Sequence, residues 1–172
     1  NEAPLARVAM VYSQQTATFY GGTRAQARVE DHTEGFYHAL VEARIPFEMV
    51  HDKLLDAAHT DPFKVLLLPN IAALSEQQCQ QLREYVQRGG SIIATHETSL
   101  YDEWGTKRNN FGLADLLGVD FAGRTEARMQ NTYLRLEHEK VRRHPMLRGL
   151  EDARRIIHGV SRVEVKPRET FD

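Results

Sequence analysis

The chemistry-bearing residues of this chain crowd into one stretch. Eleven residues, Thr95-His96-Glu97-Thr98-Ser99-Leu100-Tyr101-Asp102-Glu103-Trp104-Gly105, hold an imidazole, three carboxylates, hydroxyls and the only tryptophan. One reading is a pocket in which His96 or Glu97 serves as general acid or base and Trp104 is a platform for a sugar or similar ligand. The other is a surface loop whose polar groups cap backbone and whose aromatics, Tyr101, Trp104 and the following Phe111, pack against the sheet rim or a partner subunit. Both stay open on the sequence. Three further candidates stand just after apolar runs: Tyr12-Ser13, His51-Asp52 and Pro69-Asn70. Ligands of open parallel sheets gather at such strand ends. The expected set, as ligand pocket or interface, is Tyr12, Ser13, Asn70, His96, Glu97, Tyr101, Asp102 and Trp104.

Other chemistries find less support. Cys79 falls mid-helix on the face with Leu82 and Val86, where a thiol acts as a small hydrophobe and not as an elbow nucleophile. Ser99 lacks the flanking glycines of such an elbow. The eight histidines form no His-x-x-x-His, and there is no cysteine pair or Asp-x-Asp-x-Asp run. His138 and His144 merely straddle the basic turn Lys140 to Arg143. Gly21-Gly22-Thr23-Arg24 lacks both the dinucleotide fingerprint and the phosphate-loop lysine. The arginines Arg142-Arg143 and Arg154-Arg155 have acidic neighbours and read as a solvated face. No catalytic residue, metal or cofactor is assigned.

The elements that must position these residues alternate strand and helix. Arg7 to Tyr12, Phe47 to Val50, Val65 to Leu68 and Ser91 to Thr95 are short apolar runs. Between them lie an amphipathic helix from about Arg24 to Arg44, a short helical piece at Leu54 to Ala58, and a helix opened by the capping box Ser75-x-x-Gln78. Gly89-Gly90 offers that helix a left-handed exit. Continuous apolar strands alternating with helices predict an α/β fold, a doubly wound, mostly parallel sheet covered on both faces. A loop from His96 to Asn110, a short helix from Phe111 to Leu117, and strands at Asn131 to Leu136, Ile156-Ile157 and Val163 to Val165 complete the reading. Residues 1–172 read as a single domain.

The 172 residues are 41% hydrophobic and 27% charged, with a net charge of −2. That is the composition of an ordinary globular domain, without a basic surface for nucleic acid. Apolar runs such as Val65 to Leu68 are far short of the roughly 20 residues that span a bilayer. One cysteine cannot form an internal disulfide, and no secretory leader opens the chain, so a cytoplasmic setting is expected. Because it starts at Asn1, the chain is read as a piece of a longer polypeptide.

The sequence from Ile45-Pro46-Phe47 through Val65-Leu66-Leu67-Leu68-Pro69-Asn70, Leu74-Ser75 and Tyr85-Val86-Gln87-Arg88-Gly89-Gly90 to Ser91-Ile92-Ile93-Ala94-Thr95 resembles the glutamine-amidotransferase-like, flavodoxin-like domain. In particular it resembles the trimerisation domain of family 42 β-galactosidases and related glycoside hydrolases. His144-Pro145-Met146-Leu147-Arg148-Gly149-Leu150 resembles a segment shared with ThuA-like relatives. The resemblance covers roughly residues 5 to 165. It implies a three-layer sandwich that follows a catalytic (β/α)₈ barrel, lacks the amidotransferase Cys-His-Glu machinery, and assembles a homo-oligomer, trimer or dimer. The parent's two catalytic carboxylates would lie on that barrel. The ThuA-like alternative implies a sugar-binding or sugar-modifying enzyme, with His96 and Glu97 as acid and base and Tyr12, Asn70 and Trp104 lining the pocket.

Overall fold

Four apolar runs build the sheet from which every candidate residue hangs. The computed structural model describes residues 5–127, 129–130, 132–137, 144–157 and 159–169. Strands β1 (Val8–Tyr12), β2 (Phe47–His51), β3 (Val65–Leu68) and β4 (Ser91–Ala94) run parallel in the order β2-β1-β3-β4. Val8 stands opposite both Phe47 and Val65, and Val65 opposite Ser91. Strands β1 and β3 are interior, which is why they read as unbroken apolar runs.

Side chains alternate between the two faces of the sheet. On one face Ala9, Val11, Leu66 and Leu68 join Leu82 and Tyr85 of helix α3 (Glu76–Gln87) in the largest core cluster. On the other, Met10 and Leu67 meet Phe36 and Leu40 of α1 (Asp31–Glu42). Burying each such leucine contributes about 1.5–3 kcal/mol. The edges are less covered than the pattern predicts, since Met49 on β2 is 44% exposed and Ile93 on β4 is 40% exposed.

The capping box forms as expected. Gln78 N–H donates to Ser75 Oγ at 3.2 Å, and Ser75 N–H donates to Gln78 Oε1 at 2.7 Å. Gly89 provides the left-handed exit (φ 96°), and Gly90 lies so close to the Tyr85 ring that a Cβ there would stand 2.2 Å from it.

Several expectations are corrected. The single helix from Arg24 to Arg44 is instead a series of turns. A wide π-helical turn spans Thr16–Gly21, a 3₁₀ turn Gly22–Arg24 and a second π-helical turn Gln26–Glu30, before α1 begins. Gly22, at φ 54°, breaks the first piece, and the widened turns set Thr16, Tyr20 and Val29 all inward. The short helix α2 is Ala57–Thr60, not Leu54 to Ala58, because Asp56 caps it by accepting the Ala58 N–H at 3.0 Å. Helix α4 is shortened to Ala114–Leu117 and leads straight into a nine-residue strand, β5 (Val119–Ala127), that no periodicity announced.

The chain divides into two compact units, Asn1–Ala122 with Val165–Asp172, and Gly123–Glu164. In the second, β6 (Tyr133–Arg135) pairs antiparallel with β7 (Arg155–Ile157), and Arg155 covers the Tyr133 ring at 4.6 Å. None of its described residues is buried, so it has no apolar core of its own there. Strand β8 (Ser161–Pro167) neighbours β5. Asn131, His138 and the Lys140 to Arg143 turn lie outside the described residues. Among those described, no helix is long and apolar enough to cross a membrane.

Candidate functional site

The carboxyl ends of β3 and β4 turn sharply, with Asn70, His96 and Ser99 all in the left-handed backbone region at φ 49°, 53° and 65°. Such conformations cost a non-glycine residue about 1–2 kcal/mol and persist only where surroundings enforce them. Here Asn70 supplies the enforcement. Its Oδ1 accepts the Glu97 N–H at 3.0 Å, and its Nδ2 donates to the Arg28 carbonyl at 2.7 Å and to Tyr20 Oη at 3.4 Å.

Glu97 is 4% exposed. Its carboxylate accepts the Tyr20 hydroxyl at 2.6 Å and lies 3.9 Å from the Arg28 guanidinium, which stacks 3.7 Å over the Tyr20 ring. Burial, reinforced by the Glu97 charge, pushes the Tyr20 hydroxyl up to about 12. A carboxylate held this way ties together β4, the π-helical turn and the segment leading to α1. It has no free approach for a substrate proton.

His96 stands at the turn after β4, yet both its ring nitrogens are buried without a hydrogen-bond partner among the described residues. Its ring lies 5.3 Å from that of His32. Burial holds the His96 imidazole below its ordinary value, opposed by Glu97 and assisted by His32 and Arg28. Burial lowers His32 likewise, against the pull of Asp31. The acid–base pair of His96 and Glu97 that the alternative reading requires is therefore two sequestered groups.

A second cluster joins Tyr12, Ser13, His51 and Asp52. Ser13 Oγ donates to Asp52 Oδ2 and accepts the Thr16 N–H at 2.9 Å. His51 Nδ1 lies 2.8 Å from Asp52 Oδ1 and 3.1 Å from the Lys53 N–H. One nitrogen cannot donate to the first and accept from the second, and Asp52 Oδ1 is buried with no hydrogen-bond partner among the described residues. The carboxylate stands between hydroxyl and imidazole. A serine nucleophile needs the imidazole in the middle, so His51 cannot take the Ser13 proton. Tyr12 meets the His51 ring edge-on at 4.9 Å.

The remaining nucleophile candidates are also occupied. Ser99 is fully buried and its hydroxyl accepts the Leu113 N–H at 3.2 Å. Burial pushes the Cys79 thiol up to about 11, the opposite of an activated thiolate. Among the described residues, no group of three or more His, Cys, Asp or Glu is placed to hold a metal ion.

The aromatics of the loop after β4 part company. Tyr101 packs edge-on against Tyr20 at 4.9 Å, and Phe111 is 6% exposed beside Phe121. Of the three expected contact residues only Trp104 faces solvent, because Arg108 draws the loop inward. Arg108 donates to the Tyr101 carbonyl at 2.5 Å and pairs with Glu76 at 2.7 Å. Asp102 stays in the loop and accepts the Trp104 N–H at 3.0 Å. The structure thus joins Asn70 and Glu97 in one network, with Tyr101 beside it, and Tyr12 and Ser13 in another. Sequence reasoning missed Tyr20, Arg28 and Phe19, since all three sit on turns read as a polar stretch or as part of one long helix.

A family model described as the β-galactosidase trimerisation domain matches residues 6–142. The chain is 32% identical over 101 residues to β-galactosidase BbgII of Bifidobacterium bifidum, covering 56% of this chain and 14% of that protein. It therefore spans about a seventh of the length of this curated relative. Among solved structures, a β-galactosidase from the Antarctic haloarchaeon Halorubrum lacusprofundi superposes with a TM-score of 0.69 at 18% identity, over 94% of this chain and 22% of that one. One from Bacillus circulans sp. alkalophilus superposes with a TM-score of 0.68 at 15% identity, over 95% and 23%. At such identities the likeness is one of fold.

Proposed function

Since the chain belongs to the β-galactosidase trimerisation-domain family, we propose that it serves as the assembly element of a larger glycoside hydrolase, holding three copies together. The family match over residues 6–142 carries this reading. The residues agree with it: Cys79, Ser99 and Glu97 are each committed to packing or to internal hydrogen bonds. Bond cleavage is then the task of a barrel elsewhere in the parent polypeptide.

The surface best suited to a second copy is the side of the sheet edged by β2. Tyr37 and Val41, one turn apart on α1, are 47% and 51% exposed, and Ile45 and Met49 beyond them are 43% and 44% exposed. Tyr37 and Met49 line one cleft of about 620 Å³, and among the described residues β2 has no neighbouring strand on one hydrogen-bonding edge. Aliphatic and aromatic groups exposed in a row beside an unpaired strand edge favour self-association.

Light scattering on the purified chain tests this reading. The expected mass is three times 19.7 kDa, falling to 19.7 kDa in Val41→Glu and unchanged in Trp104→Ala. A wild-type chain that stays monomeric at every concentration would overturn assembly by this domain.

A further inference from the structure

Two exposed aromatic rings meet where the first π-helical turn approaches the loop after β4. Trp104 is 68% exposed and Phe19 48% exposed, with ring centroids 5.6 Å apart and planes inclined at 68°. Their backbones are locked together. Asp102 Oδ1 accepts the N–H groups of Trp104 at 3.0 Å and Thr106 at 2.8 Å, and the Asp102 carbonyl accepts the Gly105 N–H at 3.0 Å. Gly105, at φ +80°, lies so close to the π-helical turn that a Cβ on it would stand 2.4 Å from the Phe19 carbonyl oxygen. The aromatic walls are thus preorganised.

Beside them opens a cleft of about 450 Å³, within the range of about 300–1,000 Å³ typical of small-molecule sites. Gln15 lines it but turns its amide inward to the Ala73 carbonyl and Gln78. Gln14, Thr18, Lys53 and Glu103 complete the rim, and their side chains make no hydrogen bond or ion pair among the described residues.

We infer that this cleft binds a neutral saccharide, one pyranose ring laying its C–H face on Trp104 and Phe19 while its hydroxyls reach the rim. An amide, a hydroxyl, an ammonium and a carboxylate offer donors and acceptors together, as a hydroxyl-rich ligand requires. The single positive and single negative charge cancel, so the ligand need carry none. This inference goes beyond assembly and does not depend on it.

Trp104 is the only tryptophan, so its emission reports directly on the cleft. Lactose should change that emission saturably with a dissociation constant on the order of millimolar. Mannitol, which has hydroxyls but no ring face, should not. Phe19→Ala should raise the constant about tenfold and Glu103→Gln several-fold, a loss of roughly 1.4 kcal/mol for each factor of ten. No saturable response to lactose, or an equal response to mannitol, overturns the inference. So does emission that ignores lactose and shifts only with protein concentration, which would place a second copy on Trp104. Light scattering on the same samples keeps the readings apart. Lactose binding by a monomer removes assembly and leaves the saccharide site, whereas a trimer with silent Trp104 does the reverse.

Discussion

Replacing Asn70 with alanine removes the side chain that holds the ends of β3 and β4 in register with the turn after β1. Its Oδ1 satisfies the Glu97 N–H, a buried group, and leaving that donor unpaired costs about 1–3 kcal/mol. Its Nδ2 satisfies the Arg28 carbonyl, which is only partly buried, so water recovers some of that loss and about 1 kcal/mol remains. Alanine at φ 49° adds about 1–2 kcal/mol that asparagine partly escapes through its local hydrogen bonds. The expected destabilisation is about 3–6 kcal/mol, a large part of the 5–15 kcal/mol typical of a whole domain. Urea unfolding followed by circular dichroism would measure it. Asn70→Gly loses the same side-chain hydrogen bonds but not the backbone preference, so it should be about 1 kcal/mol less destabilising than Asn70→Ala. An alanine variant within about 1 kcal/mol of wild type would refute the reasoning. Equal losses for alanine and glycine would refute its backbone part alone.

Gly90→Ala places a methyl group 2.2 Å from the ring of Tyr85, which is 1% exposed and anchored to the Phe63 carbonyl. It should lower the urea midpoint by the equivalent of about 1–3 kcal/mol. For His32 and His96, burial depresses the native values, so below about 6.5 the unfolded chain takes up protons that the folded one refuses. Their contribution to stability should be complete above about pH 6.5 and fall away as pH drops toward the native values. Unfolding free energies at several pH values should show that slope, and it should flatten in a His32→Gln, His96→Asn variant. Cys79 should resist iodoacetamide in the native chain, reacting at least about a thousandfold slower than in urea, because the thiol is both buried and pushed up to about 11. A comparable rate in both conditions would place the thiol at the surface.

The parts of this fold legible in the sequence are those in which local pattern and tertiary role coincide. Val65 to Leu68 reads as an interior strand because both of its faces are covered, and Ser75 with Gln78 reads as a helix start because the cap is made within four residues. Where a segment's conformation depends on distant partners, the pattern misleads. Thr16 Oγ1 bonds the backbone of Ala73, 57 positions away, and the turn containing it winds wide instead of continuing as coil or regular helix. β5 escaped notice because its mixed burial leaves neither alternation nor an apolar run. The candidate residues show the same division. Asn70, His96 and Glu97 could be placed at strand ends by spacing alone, but their roles come from Tyr20 and Arg28, which no spacing connects to them. Tyr101 and Trp104 look alike in sequence. What separates them is distant pairing: the Tyr101 backbone bonds Ala72, Leu74 and Arg108, while the turn at Asp102 carries Trp104 outward.

The place of β1 in the sheet has a consequence for synthesis. It is the earliest strand of this chain and yet an interior one, so both its edges wait for segments made later. Its second partner, β3, begins with Val65 opposite Val8, about 57 positions on, which at about 5–20 residues per second is roughly 3–11 s of translation. Through that interval Val8 to Val11 would be an extended apolar segment with at least one side unpaired. A nascent chain halted before Leu68 therefore lacks the full partner on one side of β1, whereas one extended past Ala94 contains all four parallel strands.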